Sequence, residues 1–262
     1  MSAIHRTAST RVLQLLVFVA IFAIWHVLTE TRILPPFFFG RPMKVLEIVW
    51  RWFANGTIYP HLGITLLETV LAFVGGTALG LAVGLWLALS PMASVLGEPY
   101  IKAFNSMPRV ILAPIFATWF GLGIWSKVAL GVTLVFFIVF FNVYQGIKEV
   151  SHVVLANARI LGASPRELLR TVYLPSALSW VFSSLHTSIG MAFVGAVIGE
   201  YLGSARGVGY LILQAEGTFD IDTVFAGILV LTVFALLLDD VVTRTERWLL
   251  AWRPAQGKTK SS

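Results

Sequence analysis

The stretch LANARILGASPRELLRTVYLP, residues 155–175, decides how the rest of the chain is organised. It is too charged to lie inside a membrane, and signals that end and start helices follow one another closely. Gly162 comes after a helical run and suits the left-handed residue that closes a helix. Ser164 is then an N-cap, Pro165 fits the first helical turn, and Glu167 completes a capping box. The sequence therefore predicts a rigid helix–turn–helix hairpin, in which Pro175 ends the second helix or begins the next span.

Apolar segments of membrane-spanning length lie on both sides of this hairpin. The chain is 57% apolar and only 12% charged, which is far from the balance of soluble domains. A helix needs about 20 apolar residues to cross a bilayer. We therefore predict an all-α, polytopic membrane helix bundle with six transmembrane helices, near residues 12–28, 64–89, 95–121, 126–146, 179–202 and 224–242.

The distribution of basic residues predicts the orientation of this bundle. Lys and Arg are more numerous in the two termini and the loops on their side than in the opposite loops, so both termini should be cytoplasmic. The first helix follows Arg6 and Arg11 without a cleavage pattern, so it should be uncleaved.

Residues 44–53 mix apolar and charged side chains and predict an amphipathic helix at the membrane interface. We expect a first helix and interfacial segment at 1–62, a transmembrane domain at 63–250 with a five-helix core and the loop 151–176, and a basic cytoplasmic tail at 251–262.

Two runs of glycine indicate close packing between helices. The second predicted span contains three glycines spaced four residues apart, and three more with the same spacing lie at the end of the fifth. This spacing places small residues on one helix face, where neighbouring backbones can approach. Such faces are expected in any helix bundle and do not by themselves indicate a transporter. The glycines are Gly76, Gly80, Gly84, Gly195, Gly199 and Gly203.

Several classes of function are disfavoured. The chain has no cysteine, and the histidines lack metal-ligand spacing with carboxylates, so we expect no metal site. The net charge of +6 is dispersed between apolar segments instead of forming a patch, which argues against nucleic acid. Gly257, Lys258 and Thr259 resemble the end of a phosphate-binding loop, but Trp252 occupies the position of the first glycine. The chain should therefore not hydrolyse ATP.

The third predicted span offers a candidate solute path. Pro108 and Pro114 free backbone groups that are tolerated mainly beside other helices or a water-filled cavity. Arg109 lies between them, and an intramembrane charge usually faces a cavity. The alternative is that the span starts later and that Arg109 reaches the cytoplasmic interface. The candidate path residues are Asn105, Met107, Pro108, Arg109, Asn142, His186 and Glu200.

Other polar residues allow more than one interpretation. Asn142, His186 and Glu200 could line the path or could equally bond across helices. Glu68 is predicted about one turn inside its span, where the helix N-terminus would stabilise a carboxylate at the interface, with a transport role as the alternative. Asp239 is expected at a solvated cytoplasmic helix end.

The hairpin resembles the signature loop of binding-protein-dependent ABC importer permeases. That loop reads Glu-Ala-Ala, three residues, Gly, nine residues, Ile, any residue, Leu-Pro. Here the first three places hold Ala156, Asn157 and Ala158, the glycine is Gly162, and residues 172–175 form the ending. The acidic residue and one alanine are replaced, while the glycine, the nine-residue gap and the Leu-Pro remain. Residues 107–114, 119–123, 207–212, 219–220 and 224–229 are similar to the nitrate, sulfonate and taurine subgroup.

The resemblance implies a type I ABC importer permease (MetI-like) architecture. The hairpin would be the coupling helix that docks on a separate ATPase, and its glycine would let the two short helices meet closely. The docking surface carried over by this resemblance is Ala158, Gly162, Ala163, Ser164, Pro165, Arg166, Leu174 and Pro175. Cofactors are expected to be absent from this chain, with ATP and Mg²⁺ bound by the partner ATPase.

The implied partners are a cytoplasmic ATPase dimer, a periplasmic or lipid-anchored substrate-binding protein, a second copy of the chain and the lipid bilayer of the inner membrane. The implied substrate is a small anion of the nitrate, sulfonate, taurine or bicarbonate type. An ion-gradient-driven secondary transporter would favour internal repeats and intramembrane carboxylates. A membrane-embedded enzyme would need clustered His, Asp or Ser. Copurification of an ATPase would distinguish the permease hypothesis from the secondary transporter and the membrane-embedded enzyme.

Overall fold

The computed structural model describes the backbone of residues 2–249 and the side chains of residues 13, 14, 16, 17 and 19–246. The predicted basic tail at 251–262, including Gly257, Lys258 and Thr259, lies outside these residues.

The described chain folds as an all-α bundle, as predicted. A 3₁₀ turn at Arg109–Ile111 and a π-helical segment at Leu169–Tyr173 interrupt the α-helices. In chain order the α-helices are α1 Ser2–Glu30, α2 Pro36–Phe39, α3 Pro42–Ala54, α4 Ile58–Leu89, α5 Pro91–Asn105, α6 Leu112–Phe120, α7 Ile124–Lys148, α8 His152–Ile160, α9 Pro165–Leu168, α10 Leu174–Ser183, α11 Leu185–Leu202, α12 Val208–Gly217 and α13 Ile221–Leu249.

Four of these helices are long and apolar enough to cross a membrane within the described residues, namely α4, α7, α11 and α13. They correspond to the second, fourth, fifth and sixth predicted spans. Where the first and third spans were expected, the structure has the shorter apolar helical stretches Val19–Glu30 and Arg109–Phe120. The fifth predicted span is also divided, because the chain turns at Ser184 between α10 and α11.

The third predicted span, 95–121, is wrong as a single helix. Helix α5 ends at Asn105, and Pro108 precedes the 3₁₀ turn with an extended backbone. A residue before proline avoids the helical region, and proline has no N–H to donate, so the break falls at Pro108. Pro114 does not interrupt a helix, because it lies in the first turn of α6, where a missing N–H costs little.

The glycine seam of α4 packs on α7. A Cβ added at Gly76 would lie 2.6 Å from Cβ of Val135, and one added at Gly84 would lie 3.0 Å from Cγ1 of Val143. The residue numbers of the contacting residues increase along the seam in both helices, so α4 and α7 run parallel. The close packing expected from the glycine spacing is therefore confirmed.

Helix α11 packs on α7 in the opposite direction. A Cβ at Gly195 would lie 2.6 Å from Cα of Gly131, and one at Gly199 would lie 2.9 Å from Cγ of Lys127. The third turn of α4, the first turn of α7 and the last turn of α11 thus meet near one end of the bundle. The hairpin at 155–175 follows the other end of α7.

The amphipathic segment near residues 44–53 is helical, as predicted. In α3, Val45 and Ile48 are buried and form a cluster with Ala226 of α13, while Trp50 is exposed. The backbone N–H of Arg41, just before α3, donates to the carboxylate of Asp222 at 2.5 Å. This contact joins the start of α3 to the start of α13.

Candidate functional site

The first arm of the hairpin, α8, ends in a Schellman motif. Gly162 has φ of +84°, and its N–H donates to the carbonyl of Arg159 at 3.0 Å. The N–H of Ala163 donates to the carbonyl of Ala158 at 3.0 Å. These two bonds satisfy carbonyls that the helix end leaves free. The left-handed glycine predicted from the sequence is confirmed.

The second arm begins with the predicted capping box. The Ser164 hydroxyl accepts from the N–H of Glu167 at 3.3 Å, and the Glu167 carboxylate accepts from the N–H of Ser164 at 2.7 Å. Pro165 occupies the first helical position. The hydrogen bonds from Ser164, its backbone N–H first, hold the pKa of Glu167 below its ordinary value, because they stabilise the charged carboxylate.

One expected role of Gly162 is wrong. Among the described residues, no heavy atom outside the glycine's immediate neighbours lies within 4 Å of a Cβ built at Gly162, so the glycine does not allow the two short helices to meet closely. Its positive φ is what requires glycine, because L side chains crowd the backbone in that region. The space beside Gly162 is open to solvent or to a partner.

The tip of the hairpin presents apolar side chains that sequence analysis missed. Ile160 and Leu161 are 82% and 86% exposed. They lie immediately before Gly162 in a charged segment that follows a membrane-length helix. Their apolar character is a signal in the sequence, but charged residues and helix caps surround it.

The base of the hairpin is fixed to the bundle. Leu168 is buried, and Tyr173 packs against the cluster that contains Val143 and Ala177. The second arm continues from α9 through the π-helical segment into α10, where Pro175 lies in the first turn. Of the two positions predicted for Pro175, the start of the next helix is therefore the observed one.

The predicted docking residues lie in two parts of the hairpin, with Ala158 and residues 162–166 around the turn and Leu174 and Pro175 at the base. Gly162, Ser164, Pro165, Arg166 and Pro175 are exposed, and Ala158, Ala163 and Leu174 are half-buried. A rigid element with an exposed tip and a buried base can transmit a displacement to α7 and α10.

The broken third span places Arg109 beside an apolar cavity. The guanidinium donates to the side-chain and main-chain oxygens of Asn105 and lies 4.6 Å from the ring centre of Phe137. The cavity has a volume of about 400 Å³, and its lining includes Met107 and Phe104. Asn105, Met107 and Pro108 are exposed. The arrangement offers a cation next to an apolar surface.

Two other candidate path residues bond locally or across helices. The side-chain amide of Asn142 donates to the carbonyl of Ile138 within α7 at 2.8 Å. His186 on α11 lies 2.9 Å from a carboxylate oxygen of Asp239 and 2.8 Å from one of Glu246, both on α13. His186 was predicted either to line the path or to bond across helices, and the structure shows the bonds across helices.

The structure places Glu200 away from any open path. Its side chain is fully buried and accepts hydrogen bonds from the hydroxyl of Thr65 at 2.6 Å and from the N–H of Gly209 at 2.8 Å. The interface role expected for Glu68 is also wrong. Helix α4 begins at Ile58, so Glu68 lies about three turns inside it and is buried.

Lys127, at the start of the fourth predicted span, is buried with these two carboxylates. The signal for this cluster was present in the sequence, because three charged residues interrupt long apolar runs. Their meeting could not be deduced without knowing that α4 and α7 run parallel and α11 runs opposite.

A family model matches residues 76–250 of the chain, and it describes the binding-protein-dependent transport system inner membrane component. The match covers most of the bundle and the whole hairpin.

Curated proteins of the same kind are similar over most of their length. The putative aliphatic sulfonates transport permease protein SsuC of Bacillus subtilis (strain 168) is 31% identical over 89% of this chain and 84% of its own. The taurine transport system permease protein TauC of Escherichia coli (strain K12) is 29% identical, over 87% of this chain and 85% of its own. The formylaminopyrimidine transport permease protein ThiX of Halalkalibacterium halodurans is 30% identical, over 92% of this chain and 96% of its own.

A solved structure has a similar fold. A chain from the inward-facing MetNI methionine ABC transporter superposes with a TM-score of 0.62, at 19% identity, over 71% of this chain and 93% of the other. At this identity the likeness concerns the fold alone.

Proposed function

Because the chain belongs to the binding-protein-dependent transport system inner membrane components, a family of multi-pass ABC importer permeases, we propose that it forms the solute path of an importer driven by a separate ATPase. The observation that carries this proposal is the hairpin at 155–175. It is capped at both arms, and its tip exposes Ile160 and Leu161. Exposed apolar side chains on a rigid element outside the membrane indicate a protein partner.

The partner we propose for the hairpin is a cytoplasmic ATPase dimer, which binds ATP and Mg²⁺. The hairpin follows the end of α7 and leads into α10, so a push on its tip acts on two helices of the bundle. Under this proposal the hairpin and both termini lie on the cytoplasmic side of the inner membrane, in agreement with the excess of basic residues there.

The proposed assembly also contains a second copy of the chain and a substrate-binding protein. Two copies would surround a path on a twofold axis, since a small bundle encloses little space alone. Residues 203–222, at the end opposite the hairpin, would help to receive the binding protein. The proposed path residues on this chain are the exposed Asn105, Met107 and Pro108 with Arg109.

The proposed substrate is a small anion. Arg109 stays charged at any physiological pH, and its position over Phe137 beside an apolar cavity suits a ligand with an anionic group and a short apolar body. The aliphatic sulfonates and taurine in the names of similar permeases have this chemistry.

The experiment compares two acidic substitutions at exposed apolar sites. Leu161→Glu changes the hairpin tip, and Ile33→Glu changes a 69% exposed site at the other end of the bundle. Each chain is produced with its ATPase and binding protein, purified and reconstituted in vesicles, and both ATPase copurification and uptake of a sulfonate are measured.

The proposal predicts that Leu161→Glu abolishes copurification and uptake, while Ile33→Glu retains the ATPase. Both variants should unfold at the temperature of the unmodified chain, because neither side chain is packed. Full sulfonate uptake by Leu161→Glu, or uptake by vesicles without any ATPase, would overturn it.

A further inference from the structure

A group of buried charged residues lies where α4, α7 and α11 meet, at the end of the bundle opposite the hairpin. Glu68 is 1% exposed, Lys127 is 1% exposed and Glu200 is 0% exposed. Each comes from a different helix, and the transport role proposed above uses none of them. Charged groups are rarely buried to this degree inside a membrane protein unless they have partners.

Two of the three charges have well-defined partners. The ammonium of Lys127 donates to the carbonyls of Leu122 at 2.6 Å and Gly123 at 3.0 Å. The carboxylate of Glu200 accepts from the hydroxyl of Thr65 at 2.6 Å and from the N–H of Gly209 at 2.8 Å. Donors on both oxygens stabilise a carboxylate in its ionised form.

The carboxyl group of Glu68 is in a different situation. It lies one turn after Thr65 on α4, whose hydroxyl donates to Glu200, and so is close to the Glu200 carboxyl group. One of its oxygens is buried and has no hydrogen-bond partner among the described residues. An ionised carboxylate would leave strong acceptors unsatisfied there, whereas a protonated acid has a donor to offer to its neighbour.

The charges of the cluster also require a proton. Two ionised carboxylates and one ammonium leave a net negative charge in a site shielded from water, and an uncompensated buried charge is very unfavourable. Two facing carboxyl groups bind one proton in preference to both being ionised. Since Glu200 receives the donors, the proton belongs to Glu68.

The cluster holds a segment of irregular backbone in place. Gly207 packs directly on the Glu200 carboxyl, and the N–H of Val208 donates to the hydroxyl of Thr65 at 3.3 Å. His61, a titratable residue one turn before Thr65 on α4, contacts the backbone of Gly207. Tyr201, which bonds to Glu216, and Arg206 are further titratable groups at this end. We propose that Glu68 is a buried proton-binding site, and that its bound proton keeps Glu200 available to fix residues 203–209 on the bundle.

A matched pair of variants tests the assignment. Glu68→Gln replaces the acid by an amide of the same shape that can still donate to Glu200. In contrast, Glu200→Gln removes the ionised acceptor and leaves the positive charge of Lys127 without a compensating negative charge. The full chain in lipid nanodiscs is examined by infrared spectroscopy, which detects the carbonyl stretch of a protonated carboxylic acid. This measurement requires no ATPase and no substrate, so its outcome is independent of the proposed transport function.

The position of the fixed segment gives a second measurement. The chain contains no cysteine, so Ala205→Cys provides a unique, exposed site for a spin label. We expect the carboxylic acid band at neutral pH in the unmodified chain and its loss in Glu68→Gln, with the mobility of the label unchanged. In Glu200→Gln the label should become clearly more mobile.

Two results would overturn the proposal. One is a carboxylic acid band that persists in Glu68→Gln, or that is missing from the unmodified chain. The other is a label that becomes equally mobile in both variants, since that would show the two carboxyl groups to be equivalent.

Discussion

The indole ring of Trp180 on α10 lies directly against the Cα of Gly146 in the last turn of α7. A Cβ added at Gly146 would overlap the ring, and the hydroxyl of Ser176 donates to the carbonyl of the same glycine at 3.3 Å. This contact helps to join the base of the hairpin to α7.

Replacing Gly146 with alanine should therefore destabilise the chain by about 1–3 kcal/mol, because added atoms in a packed site force side chains or backbone to move. Thermal unfolding in detergent measures the effect. Gly190→Ala is the control, since the described residues around it leave a Cβ unobstructed and alanine favours the helix. Equal unfolding temperatures for the two variants would contradict the packing described for Trp180.

Substitution of Gly162 should act through the backbone and not through a clash. With φ of +84° and open space beside it, Gly162→Val should destabilise the hairpin turn by about 1–2 kcal/mol. Gly162→Asn should cost clearly less, because asparagine tolerates the left-handed region. Hydrogen exchange at residues 158–168 measures the opening of the turn. If the two variants exchanged at the same rate, positive φ would not be the reason for glycine here.

The capping box predicts a dependence of hairpin stability on pH. Because the folded-state pKa of Glu167 lies below its ordinary value, its contribution is present above the unfolded-state pKa and is lost as pH falls through the folded-state pKa. Proteolysis of the hairpin should thus accelerate under acidic conditions. In Glu167→Gln this acid sensitivity should shrink. A second variant, Ser164→Ala, should cost about 1 kcal/mol near neutral pH through loss of the cap.

Arg109 provides the test of substrate charge. If an anion binds its guanidinium, Arg109→Gln should lower sulfonate uptake about tenfold or more, since hydrogen bonds to charged groups contribute about 1.5–3 kcal/mol. Arg109→Lys should retain part of the uptake, because it keeps the charge and loses the planar geometry. The control is Lys102→Gln, whose exposed ammonium is paired with Glu98. Uptake that falls equally in Lys102→Gln would point to general surface charge instead of a site.

The hairpin was predictable because its determinants are local. Helix-ending and helix-starting residues act within three or four positions, so Gly162, Ser164 and Glu167 predicted the turn and the capping box directly from their order. The same holds for the amphipathic α3. The helix breaks were harder: Pro108 marks one of them, whereas the turn at Ser184 has no such signal, and Pro99 lies inside α5 without ending it.

The buried charges could not be placed from the sequence. Glu68, Lys127 and Glu200 are 59 or more positions apart, and their meeting depends on the parallel arrangement of α4 and α7. Hydropathy positions each residue near the end of a span, where an exposed location is the simplest expectation. Only the packing of three helices shows that these residues share one buried site.

The caps of the hairpin have a consequence for association. Because its turn is closed by its own hydrogen bonds, the hairpin has its shape before any partner arrives, and little conformational entropy is lost when it is bound. Preorganisation of this kind favours fast, reversible recognition by a small contact area. It also means that the hairpin can be released and captured repeatedly without refolding.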